Sequence, residues 1–220
     1  MRATISSEVI SAYQASMTEL KFRLKAVDAA LAGNMGLPSA LVREFCYLQL
    51  RMSCELMALS CVIAHDSLTE AAARKLLKEY HAGKIMAVLA GLHPDFFPKH
   101  INIAFNVSPH HHELVDVEQE GMTRERLGVL YARCGAALHR GSASAFMKGR
   151  QFQIEKEYAD IRLELAMFRR LLAGCALRSV DHSYTLICAV SWTNDEPAQI
   201  RYAVAKTYIG EWPHGGGESQ

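Results

Sequence analysis

Apolar positions along the N-terminal half of the chain return at steps of three and four, the spacing that gathers them on one side of an α-helix. Ile10, Met17, Leu20, Leu24, Val27 and Leu31 form the first such series, with Ser6 and Ser7 in place as capping hydroxyls, which predicts a helix from Glu8 to Ala32. Asn34-Met-Gly36-Leu-Pro38 ends it. Ser39 reads as the cap of a second helix reaching His65, with a stripe of Leu41, Phe45, Leu48, Met52, Leu56, Leu59 and Ile63. Cys54, Met57, Cys61 and Val62 cover much of the remaining circumference, and a helix apolar nearly all round is expected to be a central one. Ser67-Leu-Thr-Glu70 has capping-box spacing and opens a third predicted helix through Tyr80, followed by a shorter one from Ala82 to Leu92 that Gly91 and Pro94 close. Thr123 caps a helix through His139, and Gln151 to Arg178 reads as a long amphipathic helix.

A period of two appears in two places. Ile101-Asn-Ile-Ala-Phe-Asn-Val107 alternates, and with Ser108-Pro109-His110 as a turn and His112 to Glu118 as the return it reads as a small hairpin. Ser183 to Trp192 puts Tyr184, Leu186, Cys188, Val190 and Trp192 on one face of a strand, and Ile200, Tyr202 and Val204 repeat the alternation after Asn194-Asp-Glu-Pro197. A lone two-stranded hairpin is marginal in water, so this C-terminal one, at 183–208, must pack on the helices, pair with the earlier strands or offer its edge to a protein partner. The fold class expected is mainly α, a helical bundle with a C-terminal β-hairpin. One domain over residues 1–210 is expected, with a disordered Gly-rich tail at 211–220.

Composition narrows the partners. A chain of 220 residues is long enough to bury one substantial core without a disulfide or metal staple. A formal charge of +1 creates no whole-domain field toward nucleic acid or an anionic membrane, so neither DNA nor a membrane is indicated as a partner, and any RNA contact must come from a local patch. The six cysteines lie in apolar runs without CxxC pairing, as core residues of a reducing compartment do. The N-terminal residues lack the apolar stretch of a signal peptide, and a cytoplasmic location is expected.

Familiar chemical signatures are missing: there is no GxxxxGK[ST] loop, no GxGxxG after a strand, no GxSxG elbow and no HExxH helix, so no cofactor is expected. His110-His111-His112 has no second ligand cluster at metal-site spacing and reads as plain surface. Arg51 and Glu55, one turn apart in the most apolar helix, are spaced to pair. Either they form an internal salt bridge that fixes helix register, or Glu55 orients Arg133 or His139 from a neighbouring helix. The richest segment is Tyr131-Ala-Arg133-Cys134-Gly135-Ala-Ala-Leu138-His139-Arg140-Gly141. Gly135 and Tyr131 lie on the His139 face, and the missing side chain at Gly135 is expected to leave room for a ligand. Arg133 and His139 point about 120° apart on an ideal helix, whereas Arg133 and Arg140 nearly align. A joint Arg133/His139 site therefore needs the helix to end near Leu138, or needs a second chain.

Arg133, five residues, then His139 near the end of a late helix resembles the R-x5-H form of the signature of the HEPN superfamily (higher eukaryotes and prokaryotes nucleotide-binding domains). Phe45-Cys-Tyr-Leu-Gln-Leu-Arg51-Met-Ser-Cys-Glu55 and Leu92-His93-Pro94-Asp95-Phe96-Phe97-Pro98 also resemble pieces of a bacterial HEPN-like group, and the likeness spans residues 40–175. The resemblance implies a helical bundle that dimerises through the motif helix and a metal-independent endoribonuclease of toxin or phage-defence type. His139 would then serve as general base or acid and Arg133 would stabilise the phosphorane, with Glu55, Arg51, Tyr131 and Arg140 in support. The chain departs from the family at Cys134, where active ribonucleases carry a polar Asn, Asp or His. That departure keeps open a non-catalytic nucleotide-binding or protein-interaction module.

Overall fold

A computed structural model describes residues 5–65, 76, 78–105, 112–116, 121–139, 147, 153–179 and 184–204. Most of the predicted helix at 67–80, the predicted turn at 108–110, Arg140 and the tail at 211–220 lie outside these residues. Among the described residues the protein is mainly helical, with five α-helices and a small antiparallel sheet.

Helix α1 (Ser7–Leu31) begins where the Ser6 hydroxyl accepts from the Val9 amide, and it stops at Ala32 because Gly33 and Gly36 turn the chain at φ +84° and +62°, conformations costly for any residue with a Cβ. It buries Met17, Leu20, Leu24 and Val27 from the predicted stripe, and with them Tyr13 and Lys21. The buried Lys21 ammonium donates to the Glu196 carbonyl at 2.7 Å and to Asn194 Oδ1 at 3.4 Å, and so ties α1 to the connection before the last strand.

Helix α2 (Ser39–Ile63) packs against each of the other four helices, the central position expected of it. Its start differs from expectation: Ser39 is the first helical residue and Pro38 precedes it without a side-chain cap. The larger correction concerns its faces. The core side carries Val42, Cys46, Leu50, Cys54, Met57 and Cys61, whereas of the predicted stripe Phe45, Leu56 and Ile63 are half-buried against the core and Leu41, Leu48 and Leu59 remain 45%, 43% and 36% exposed. Small residues explain the choice. Cysteine, serine and alanine let neighbouring backbones approach closely, and the Ser16 and Ser60 hydroxyls meet across α1 and α2 at 2.8 Å. By length and composition α2 also passes as a membrane span, but half of its most apolar window is buried in the protein.

Helix α3 (Ala82–Leu92) matches its predicted bounds. Helix α4 (Arg124–Leu138) starts as predicted, with the Thr123 hydroxyl accepting from the Arg126 amide. Helix α5 (Ile154–Ala173) is shorter than the predicted 151–178, because Gly174 turns extended and Cys175–Arg178 becomes a strand. Gly174 is needed there: its amide region lies so close to β1 that a Cβ would stand 3.1 Å from the Ile101 carbonyl oxygen. Strands β1 (Lys99–Phe105), β2 (His112–Asp116), β3 (Cys175–Arg178), β4 (Tyr184–Ala189) and β5 (Gln199–Val204) form one sheet ordered β2-β1-β3-β4-β5. Both predicted hairpins are present, β1 with β2 and β4 with β5, and the unpredicted β3 joins them by pairing His100 with Cys175 and Cys175 with Cys188. Tyr184, Leu186 and Cys188 turn inward from β4 and Val190 follows them, whereas Trp192 lies beyond the strand with its ring 5.2 Å from the Arg169 guanidinium. All six cysteines are buried as free thiols.

Candidate functional site

Two charged clusters flank α4, and they divide the residues that the sequence had grouped together. The first joins α2 to one side of α4. Arg51 donates from Nη2 to the Tyr131 hydroxyl at 2.9 Å, and that hydroxyl donates to Glu55 Oε1 at 3.1 Å. Arg51 Nε stands 3.3 Å from the same carboxylate oxygen, which closes a three-membered ring of contacts. The guanidinium also lies over the Tyr131 ring, 4.5 Å from its centre, and His81, the N-cap of α3, meets that ring edge to face at 5.0 Å. Burial, reinforced by the Glu55 carboxylate that accepts its proton, holds the Tyr131 phenol above its ordinary pKa.

Gly135 has a different role from the one its spacing suggested. A Cβ there would come within 3.1 Å of Arg51 Nη1, so the gap on the His139 face is filled by the Arg51 guanidinium and is not free for a ligand. Arg51 and Glu55 do form a salt bridge, with side chains partly exposed. The carboxylate that holds Arg133 is not Glu55.

That carboxylate is Glu164 of α5, which forms the second cluster. Only 3% exposed, it accepts from Arg126 Nε at 2.8 Å and lies 3.3 Å from Arg133 Nη1. Arg126 and Arg133 are seven residues apart, two turns of helix, so both reach the same neighbour. Two guanidiniums share one buried carboxylate here, which leaves one positive charge in excess at a row where Arg133 keeps 38% of its side chain exposed.

His139 is exposed and is the C-cap of α4, with φ −79° and ψ 132° and its amide still bonded to the Gly135 carbonyl at 3.2 Å. The helix does end at Leu138, as a joint site would need. Yet a near-helical φ fixes the Cβ before ψ turns the chain away, so the His139 Cβ keeps its helical bearing, about 120° around from Arg133 and on the side of Tyr131 and Gly135. Cys134 between them is buried in the core, where lost solvation pushes its thiol up to about 12. Arg140 lies outside the described residues.

Arg43 and Glu157 went unnoticed in the sequence. Arg43, buried in α2, pairs with Glu157 of α5, donates to the Ala137 carbonyl at 3.3 Å and lies over the Tyr47 ring at 4.9 Å. It satisfies a late carbonyl of α4 just before His139, an arrangement that also favours positive charge there. The signal was present: an arginine eight residues before Arg51 in the most apolar helix, as was the seven-residue step from Arg126 to Arg133. Among the described residues no group of three or more His, Cys, Asp or Glu side chains is placed to hold a metal ion. Comparison with protein-family models, with curated proteins and with solved structures gives no match for this chain.

Proposed function

We propose that this is a HEPN-like protein that binds RNA along α4 and cleaves it with Arg133 of one chain and His139 of another. The observation that carries this reading is the pair of accessible groups on α4: His139 is exposed at its end, and Arg133, which shares Glu164 with Arg126, is partly exposed; helix geometry sets the two bearings about 120° apart. General acid–base groups act only within hydrogen-bond reach of the atoms they serve, so one chain offers an incomplete pair and two copies complete it. His139 takes the proton of a ribose 2′-hydroxyl as the 2′-oxygen attacks phosphorus, and the imidazolium so formed returns a proton to the 5′-oxygen as its bond to phosphorus breaks, leaving a 2′,3′-cyclic phosphate and a 5′-hydroxyl. Arg133 and its neighbour Arg126 face the charge that grows on the phosphoryl oxygens.

Mixing tests this directly. His139→Ala and Arg133→Ala should each be inactive on labelled single-stranded RNA in EDTA, and an equimolar mixture should recover on the order of a quarter to a half of wild-type cleavage through mixed dimers. Wild-type protein that leaves several RNA sequences intact at concentrations where it is dimeric defeats the enzymatic reading. In that event the second reading stands, a non-catalytic nucleotide-binding or protein-interaction module. It draws support from the buried Cys134 beside Arg133 and from the edge position of β5 in the described sheet.

A further inference from the structure

The sheet turns one face away from the helices. Cys175, Leu177, Tyr184, Leu186 and Cys188 are buried on the helix side, so by the strand period of two Ala176, Arg178, Thr185, Ile187 and Ala189 look outward. The register lines up Lys99, Ala176, Ile187 and Arg201 in one row across β1, β3, β4 and β5, and directly opposed residues share a face. Thr185, Ile187 and Ala189 form a half-buried, mostly apolar line along β4. Cations border it on both sides: Arg178 and Lys99 toward β1, and Arg201 on β5, with both arginines exposed. Strands β3, β4 and β5 contain no Asp or Glu. In a chain whose formal net charge is only +1, this clustering of positive charge around an apolar line is local.

We propose that this face seats an amphipathic helix with acidic flanks, supplied by a partner protein. The width fits. Lys99 and Arg201 stand three strand spacings apart, about 14 Å, and a helix with its side chains is about 10–12 Å across. A helix laid along β4 therefore brings carboxylates on its two flanks to the cations on either side, while its apolar stripe covers Thr185, Ile187 and Ala189. Packing such a stripe on a sheet face is how layered folds bury both surfaces. A hollow of about 30 Å³ beside the row, lined by Asp95, Phe97, Lys99, Arg178 and Thr185, narrows the chemistry further. It takes about two or three atoms of oxygen size, enough for a carboxylate and too few for the four oxygens of a phosphate. Asp95 engages Lys99 at 3.2 Å, which leaves Arg178 for the incoming carboxylate. The row also holds no aromatic side chain on which the bases of a single strand could stack, so a protein helix fits it better than RNA does. The inference lies apart from α4 and holds whether or not RNA is cleaved.

A labelled synthetic helix of about 18 residues tests the face, with leucines at three- and four-residue steps and glutamates on both flanks. The control is the same peptide with lysines in place of the glutamates. Fluorescence anisotropy at low salt should show the glutamate peptide binding about tenfold more tightly or better, and the preference should fade as salt screens the exposed pairs. Arg178→Glu and Arg201→Glu, both at exposed positions, should each weaken binding about tenfold with an unchanged circular dichroism spectrum, and Asp95→Asn should strengthen it. Absence of binding, equal binding of the two peptides, or indifference to both charge reversals overturns the proposal. So does a single-stranded RNA that displaces the peptide and loses affinity in the same two variants, which would assign the face to nucleic acid.

Discussion

Replacing Glu164 by Gln should lower stability and raise RNA affinity together, an unusual pairing that follows from where this carboxylate sits. Breaking a buried ion pair by removing one partner costs about 3–5 kcal/mol when the remaining charge is stranded. Arg126 and Arg133 are not stranded, since each keeps about a third of its side chain in solvent and can turn outward. The glutamine amide also retains one acceptor of nearly the same shape, so the loss is that of a charge-assisted hydrogen bond, about 2 kcal/mol. For a chain of this length that lowers the melting temperature by about 4–8 °C. The same change releases one positive charge on the α4 row. The slope of log affinity for single-stranded RNA against log salt should then steepen by about 0.7, with tighter binding at low salt. Thermal melting by circular dichroism and fluorescence anisotropy at four salt concentrations measure both. Unchanged melting would mean that Glu164 does not hold the arginines as described, and weaker binding with a shallower slope would remove Arg133 from the RNA-binding surface.

Tyr131→Phe deletes the hydroxyl that links Arg51 to Glu55 while leaving their direct contact, and should cost about 1–2 kcal/mol in urea denaturation; a neutral substitution would show that the link is not made in solution. Alkaline pH should unfold the protein through its buried thiols and phenols. Burial raises Cys46 from 9.0 to about 11, Cys134 from 9.0 to about 12 and Tyr47 from 10.0 to about 12, so between each group's ordinary value and its raised one the unfolded chain gives up a proton that the folded one keeps. Their stabilisation is complete below pH 9 and declines above it by about 1.4 kcal/mol per pH unit for each group in turn. Melting curves from pH 8 to 11 should show that decline, and Cys134→Ala should make it shallower; a pH-independent melting temperature would contradict the burial of these groups.

Local pattern went furthest where neighbours in sequence decide the outcome. The caps at Ser6 and Thr123, the bounds of α3 and the inward face of β4 all follow from capping chemistry and side-chain period, which act over a few residues. Strand β3 was out of reach for the same reason. Cys175–Arg178 continues a helical pattern well, and only pairing with β1 and β4, distant in sequence, pulls it into the sheet. In α2 the periodicity revealed two apolar faces without ranking them, because the choice depends on how closely small side chains let α1 and α4 approach, a property of the assembled bundle.

The candidate site divides along the same line. From the residues alone came the places of Arg51, Glu55, Tyr131, Arg133 and His139, and the 120° divergence that helix geometry imposes on the last two. The partners came only with tertiary structure: Arg51 in the gap at Gly135, the Glu55 carboxylate under the Tyr131 hydroxyl, and Arg126 with Arg133 on Glu164. A charged side chain takes the partner that best compensates its desolvation, and which carboxylate that is depends on how the helices pack, information no single helix contains.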